Sequence, residues 1–294
     1  MTPSCRTCGH FTGTTPALFV IGSRKSGTTS MAHLLTRHAQ IQPPQCTRRV
    51  LSLPVWLRRT VCIWNKEVRY YTRAATKVDS CWYASLYECD GRIGLDASPD
   101  YLIMSDRSIR LLRQHVPTAK LIALLRNPVD RFYSAFNMAH NQARKHAKQP
   151  LFVYKDFVKQ LDDMLNCAPD DCISRPLVAT FVTFGMYHRH LSRWLRVFPR
   201  HQFFIEDAQT FYDNPIRVAN DAFRWMGLPP LRDVPLESIL PISKRNSGRE
   251  WTSTYTSHVR GPERHKLAEF YRPYNEALFE LIDRRFPWNG NRTR

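Results

Sequence analysis

Ala17-Leu-Phe-Val-Ile21 runs into Gly22-Ser-Arg-Lys25-Ser-Gly27-Thr28-Thr29-Ser30 and then into Met31-Ala-His-Leu-Leu35. Five consecutive apolar residues bounded by glycine read as a strand buried on both faces. The glycine, serine and threonine run reads as a loop, and the residues after it as a helix continuing to about His38. Backbone N–H groups of such a loop, together with the positive end of the helix, form a cradle for an anion, and Lys25 adds a full charge to it. Arg24, Lys25, Ser26, Gly27, Thr28, Thr29 and Ser30 are the candidate ligands. The plainer reading is a turn that merely starts a helix.

Compared with the nucleotide-triphosphatase pattern GxxxxGK[ST], the glycines match at 22 and 27, but Thr28 takes the lysine's place and Lys25 lies three residues earlier. A polyphosphate site uses Mg²⁺ and the motif lysine. A sulfuryl group carries less charge, and hydroxyls with one lysine balance its transfer without metal. A second apolar strand, Lys120 to Leu125, ends at Arg126-Asn-Pro128-Val-Asp-Arg131-Phe-Tyr-Ser134. Pro128 suits the first turn of a helix running to about Lys148. Arg126 then sits at the strand's carboxyl end and Ser134 about two turns into the helix, where both reach one phosphate. Taken alone, Arg126 reads as a cap or ion-pairing device.

Further strands are expected at Gly94 to Ala97 and Gln202 to Ile205. Helices are expected at Ser105 to His115 and near 151–165, 185–198, 213–226 and 263–285, and residues 43–90 read as irregular. Strands alternating with helices imply an α/β fold with a central parallel sheet flanked by helices. No linker or repeat divides the chain, which reads as one domain over 17–288, with an N-terminal extension at 1–16 and a tail at 289–294.

Lys and Arg number 43 against 25 Asp and Glu, a net charge of +18. Polyanions are therefore natural partners, whether nucleic acid, anionic membrane or a sulfated or carboxylated polysaccharide. No apolar run approaches the roughly 20 residues that cross a bilayer, and the first residues carry no apolar leader. Of eight cysteines, Cys5-x-x-Cys8 lacks the partner pair a zinc site needs, and Cys167 and Cys172 bracket a turn-like spacer suited to a small disulfide loop in an oxidising compartment. Asn291-Arg-Thr293 is a glycosylation sequon.

Together these segments resemble the sulfotransferases that use 3′-phosphoadenosine 5′-phosphosulfate (PAPS), and among them the Golgi heparan sulfate and N-acetylgalactosamine 4-sulfate 6-O enzymes. The first loop resembles the family's 5′-phosphosulfate loop, and Arg126 with Ser134 its 3′-phosphate motif. Lys66-Glu67-Val-Arg-Tyr-Tyr71 resembles the Lys-Glu-x-x-Phe-Phe segment, and Asp96-Ala-Ser-Pro-Asp-Tyr101 the Glu-Lys-Ser/Thr-Pro-x-Tyr segment. Lys244-Arg-Asn-Ser247-Gly248-Arg249 resembles the late loop that closes over the donor, and Phe270-Tyr-Arg-Pro-Tyr-Asn275 the closing helix. Ala97 and Ser247 stand where relatives carry lysines.

The resemblance implies a P-loop-like sulfotransferase fold, PAPS as donor without metal, and an anionic polysaccharide or other carbohydrate acceptor in place of nucleic acid. It also implies the Golgi lumen, the compartment in which the disulfide loop and the glycosylation sequon read above would be used. Glu67 becomes the general base, Lys25 the group that steadies charge on the leaving oxygen, and Ser247, Gly248 and Arg249 donor contacts. Lys66 and Arg69 fall beside the acceptor. Without the resemblance, Glu67 is an ordinary glutamate paired with Lys66 or Arg69. Arg189, Arg193, Arg196 and Arg200 line one helix face, as a solvated basic face or as a rail for an anionic glycan, for which the pairs 48–49 and 58–59 are also candidates. Two other readings remain: a nucleotide kinase, and a basic nucleic-acid or glycan-binding protein without catalysis.

Overall fold

The computed structural model describes residues 5–8, 11–46, 66–75, 79–147, 154–166, 177–231 and 261–288. Its strands are β1 (Cys5–Cys8), β2 (Phe11–Thr14), β3 (Leu18–Gly22), β4 (Ile41–Gln42), β5 (Ile93–Asp96), β6 (Lys120–Leu125) and β7 (Phe203–Asp207). The helices are α1 (Thr28–Leu35), α2 (Ser80–Ala84), α3 (Asp106–His115), α4 (Pro128–Ala147), α5 (Tyr154–Leu165), α6 (Leu177–Thr183), α7 (Tyr187–Leu195), α8 (Ala208–Asp213), α9 (Pro215–Met226) and α10 (Gly261–Ile282). The chain divides into two compact units, Met1–Leu125 with Arg193–Arg245, and Arg126–Ser192 with Asn246–Arg294.

The first unit is built on a five-stranded sheet in the order β4-β5-β3-β6-β7, and every neighbouring pair in it is parallel. Leu18, Phe19, Val20 and Ile21 are wholly buried, as are Leu121 to Leu125, which is why both strands read as unbroken apolar runs instead of alternating ones. Leu18, Val20, Ile122 and Leu124 pack one face against Met31, Leu34 and Leu35 of α1 and Val218, Ala222 and Phe223 of α9. On the other face Phe19 meets the rings of Tyr71 and Tyr101. From β3 the chain passes to one side of the sheet, toward β4 and β5, and from β6 to the other, toward β7. Strand order thus reverses between β3 and β6, and ligands of such sheets bind beyond the carboxyl ends of the strands at that point.

The second unit has its core between α4, α5, α6 and α10, where Phe132, Phe136, Leu161, Val178, Val182, Leu267 and Tyr271 are buried together. Asn127 opens α4: its Oδ1 accepts the N–H of Val129 at 3.0 Å and its Nδ2 donates to the carbonyl of Trp288 at 3.1 Å.

Several boundaries differ from those expected. The extension at 1–16 holds β1 and β2, an antiparallel pair, tied to the rest of the unit where the Thr14 N–H donates to the carbonyl of Tyr87 at 3.2 Å. The first helix stops at Leu35, and the helix expected near 213–226 runs over Pro215–Met226, preceded by α8, which was not expected. Within 43–90 the chain forms a π-helical turn at Tyr70–Ala74 and α2. The tail and Cys167 and Cys172 lie outside the described residues. Cys46, Cys81 and Cys89 are disulfide-bonded.

Candidate active site

The loop expected after β3 joins it directly to α1. Lys25 (φ 69°) and Gly27 (φ 84°) are both left-handed, a conformation unfavourable for a lysine that turns successive N–H groups toward one side. Gly27 opens α1 without a side-chain cap, at the end of the helix where the partial positive charge of the dipole lies. Close packing holds the loop. A Cβ on Gly22 would lie 2.7 Å from Cβ of Leu102, and one on Gly27 2.9 Å from the ring of Tyr212. The Ser23 and Ser26 hydroxyls bond each other at 2.5 Å and the Ser26 N–H donates to the carbonyl of Ser23 at 3.3 Å, so Ser26 shapes the loop from inside. Thr28 and Ser30 are buried and Thr29 is exposed.

Arg24 reaches from this loop to a second cluster. Its Nε lies 2.5 Å from Oδ1 of Asp100. Oδ2 of Asp100 lies 3.6 Å from a terminal nitrogen of Arg69. Arg69 in turn donates to Oε2 of Glu67 through that nitrogen at 2.8 Å and through Nε at 3.2 Å. Lys66 Nζ donates to the other oxygen, Oε1, at 2.7 Å, and to the carbonyl of Ala97 at 3.2 Å. Lys66 and Glu67 are buried. Burial pulls the Lys66 ammonium below its ordinary value against the opposing pull of Glu67.

Asp96, at the end of β5, holds the Glu67 segment in place. Oδ1 accepts from the N–H of Val68 at 3.3 Å and the hydroxyl of Ser98 at 2.5 Å, and Oδ2 from the hydroxyls of Tyr83 and Tyr101, both at 2.7 Å. The Ser98 hydroxyl also accepts the N–H of Arg69 at 2.9 Å, and the Ala97 N–H donates to the carbonyl of Lys66 at 2.9 Å. Burial raises the Asp96 carboxyl despite the bonds from Ser98, Tyr101 and Tyr83, which work the other way. The two segments noted in the sequence, 66–71 and 96–101, are therefore laced to each other.

The first unit brings together Arg24, Lys25, Ser26, Gly27, Thr28, Thr29 and Ser30 with Lys66, Glu67 and Arg69. Arg126 and Ser134 lie in the second unit, where the carbonyl of Arg126 accepts the hydroxyl of Tyr187 at 2.9 Å and Ser134 is half-buried on α4. Ser247, Gly248 and Arg249 lie outside the described residues, as do the arginine pairs 48–49 and 58–59. Of the arginine stripe, Arg193 is fixed to Asp106 at 2.5 Å and to the carbonyl of Met104, and Arg200 donates to the carbonyl of Phe203 at 3.0 Å. Sequence reasoning missed Asp100 as the partner of both Arg24 and Arg69. Its only local signal is a carboxylate inside the Ser-Pro-Asp-Tyr segment.

Residues 15–272 match the family described as "Sulfotransferase domain". The chain is 24% identical over 228 residues to bifunctional heparan sulfate N-deacetylase/N-sulfotransferase 1 of Caenorhabditis briggsae, covering 78% of this chain and 24% of that protein. With heparan sulfate glucosamine 3-O-sulfotransferase 6 of Homo sapiens it shares 23% identity over 292 residues, 93% of this chain and 73% of the relative. It thus spans about a quarter of the first relative and nearly three quarters of the second. A sulfotransferase from Alicyclobacillus acidocaldarius superposes with a TM-score of 0.61 at 19% identity, over 94% of this chain and 99% of that one, and shares its fold. With the family match running over most of its length, the chain belongs to the sulfotransferase domain family.

Proposed function

We propose that the chain is an enzyme that transfers the sulfuryl group of PAPS to a hydroxyl or amino group of a glycosaminoglycan-like acceptor. One observation supports this reading: a path of ion pairs, Arg24–Asp100–Arg69–Glu67, links the loop after β3 to the candidate base. The left-handed Lys25 and Gly27, the uncapped start of α1 and the positive charge of Arg24 and Lys25 suit the donor's 5′-phosphosulfate. On their sequence motif, Arg126 and Ser134 are assigned to its 3′-phosphate, and Ser247, Gly248 and Arg249 to further donor contacts.

When bound, the donor supplies a sulfuryl group on a phosphate leaving group. Lys25 and the first-turn N–H groups of α1 hold that end and steady the charge left on the phosphate. An acceptor hydroxyl attacking sulfur must shed its proton as the new bond forms, and Glu67 takes it on a carboxylate oxygen. Lys66 orients Glu67 and meets the negative acceptor. Heparan sulfate appears in the names of both curated relatives, and the +18 net charge supports an anionic chain as acceptor. The disulfides at Cys46, Cys81 and Cys89 support an oxidising compartment such as the Golgi lumen.

Purified protein incubated with labelled PAPS and a panel of desulfated glycosaminoglycans tests this. Label is expected on at least one glycan, with Lys25→Ala and Glu67→Gln each slowing transfer by about 10²-fold or more. Transfer that survives both substitutions unchanged overturns the assignment. Mg²⁺-dependent turnover of ATP points instead to a kinase, and DNA binding indifferent to PAPS to a basic binding protein.

A further inference from the structure

Three cations and two carboxylates lie in one line, Arg24, Asp100, Arg69, Glu67 and Lys66, each in contact with the next or, at the Asp100–Arg69 step, 3.6 Å from it. The spacing is uneven. Asp100 holds Arg24 at 2.5 Å and Arg69 only at 3.6 Å, while Arg69 holds Glu67 at 2.8 Å. Both Glu67 oxygens consequently accept from cations, Oε1 from Lys66 and Oε2 twice from Arg69. Oε2 has both of its lone pairs taken by Arg69, which closes it to an incoming hydroxyl, while Oε1 is bonded by the buried Lys66.

Arg24 is the exposed end of the line, with 38% of its side chain accessible, against 13% for Asp100 and Arg69 and 9% for Glu67. It is also next to Lys25 in the anion loop, so a doubly charged group arriving there competes with Asp100 for its guanidinium. Asp100 has only 13% of its side chain accessible, and its Oδ1 meets Arg24 as a charge contact without a well-formed hydrogen bond, so the pair opens readily, yet the carboxylate cannot be left without a counter-charge cheaply. Arg69, 3.6 Å away, is the cation nearest to replace Arg24.

We propose that Asp100 is a coupling residue: it holds Arg24 while the anion loop is empty, and when the donor draws Arg24 away it takes Arg69, freeing Oε2 of Glu67 for the acceptor's proton. The base is thereby released only when a donor is in place. This deepens the proposed function and rests on it. Asp100 acts through Arg24 and Arg69 and touches no reacting atom, so it is a positioning residue. No bond is made or broken in the exchange, only ion pairs re-formed, and coupling of this kind is reciprocal.

The test is a titration of 3′,5′-diphosphoadenosine, the product left by the donor, beside the rate of transfer at saturating PAPS. Asp100→Asn removes the competitor for Arg24 and also the pull on Arg69. It is expected to bind diphosphoadenosine severalfold more tightly than the unsubstituted protein while transferring at least tenfold more slowly. A substitution that merely disturbs the site weakens both, and that result, or no change in either, overturns the proposal. Arg69→Gln supplies an independent sign, since it leaves Asp100 no substitute partner. Diphosphoadenosine binding is expected to weaken severalfold although Arg69 does not reach the loop, and in the doubly substituted protein this loss disappears, a departure from additivity that only coupling through Asp100 produces. Unchanged binding in Arg69→Gln overturns the proposal even if Asp100→Asn fails to fold. If the unsubstituted protein neither binds diphosphoadenosine nor transfers sulfate, the functional reading itself falls; if it does both and the two signs are absent, only the coupling does.

Discussion

At the scale of single residues, Asp96 has the most to lose. Four donors converge on its buried carboxylate, and leaving them unpaired in Asp96→Ala is expected to cost about 3 kcal/mol or more of stability, read by denaturant unfolding. Lys66 gives a test with a definite sign. Burial holds its folded-state value below the ordinary 10.5, so the charged form is penalised in full below that folded-state value, and the penalty fades as pH rises through it toward 10.5. The stability of the protein relative to Lys66→Met should therefore improve over that alkaline interval; a constant difference contradicts it. The sequence presented Glu67 in two ways, as a base and as a glutamate paired with Lys66 or Arg69, and the structure shows the pairing, with both cations at once. Glu67 is salt-bridged on both oxygens, and the cations that bridge it lead back to the anion loop. Asp100 was not legible because its partners lie 76 and 31 positions away in the chain, at Arg24 and Arg69.

At the scale of elements, β3 and β6 were readable because a strand buried on both faces has nothing but apolar side chains to show. The bounds of β6 match those expected, and α4 begins at Pro128 as expected. The β1–β2 pair was not, since its Cys-Arg-Thr-Cys and Phe-Thr-Gly-Thr strands have no apolar alternation. β4 has only two residues, too few to show a period. The start of α9 is marked by Asn214-Pro215, where a proline at the first helical position opens a helix, whereas α8 has only six residues, too few to show a helical period. The join of β3 to α1 is the element with least tolerance. Gly27→Ala must hold a side chain at φ 84° and push aside the Tyr212 ring; the expected cost is roughly 1–3 kcal/mol, with diphosphoadenosine binding weakened alongside. Wild-type affinity in that variant would show that the loop's backbone does not form the anion site.

For the whole molecule, a net charge of +18 acts on a long polyanion more than on a nucleotide with two phosphate groups. Affinity for a heparan-type chain should fall by about 10²-fold or more between roughly 50 and 200 mM salt, if several of its charges are contacted. Diphosphoadenosine affinity should fall far less over the same range. Equal salt dependence would mean that the chain's positive surface plays no part in holding the acceptor. Among the described residues no helix is long and apolar enough to cross a membrane.

The central claim is that the loop after β3 receives the phosphosulfate end of an activated sulfate donor. Calorimetric titration of the purified protein with 3′,5′-diphosphoadenosine, with and without Mg²⁺ and with ATP as the comparison, tests it most directly. Saturable one-to-one binding of diphosphoadenosine that is tighter than that of ATP and lost in Lys25→Ala is the result predicted. No binding, or binding of ATP that is tighter and requires Mg²⁺, would contradict it.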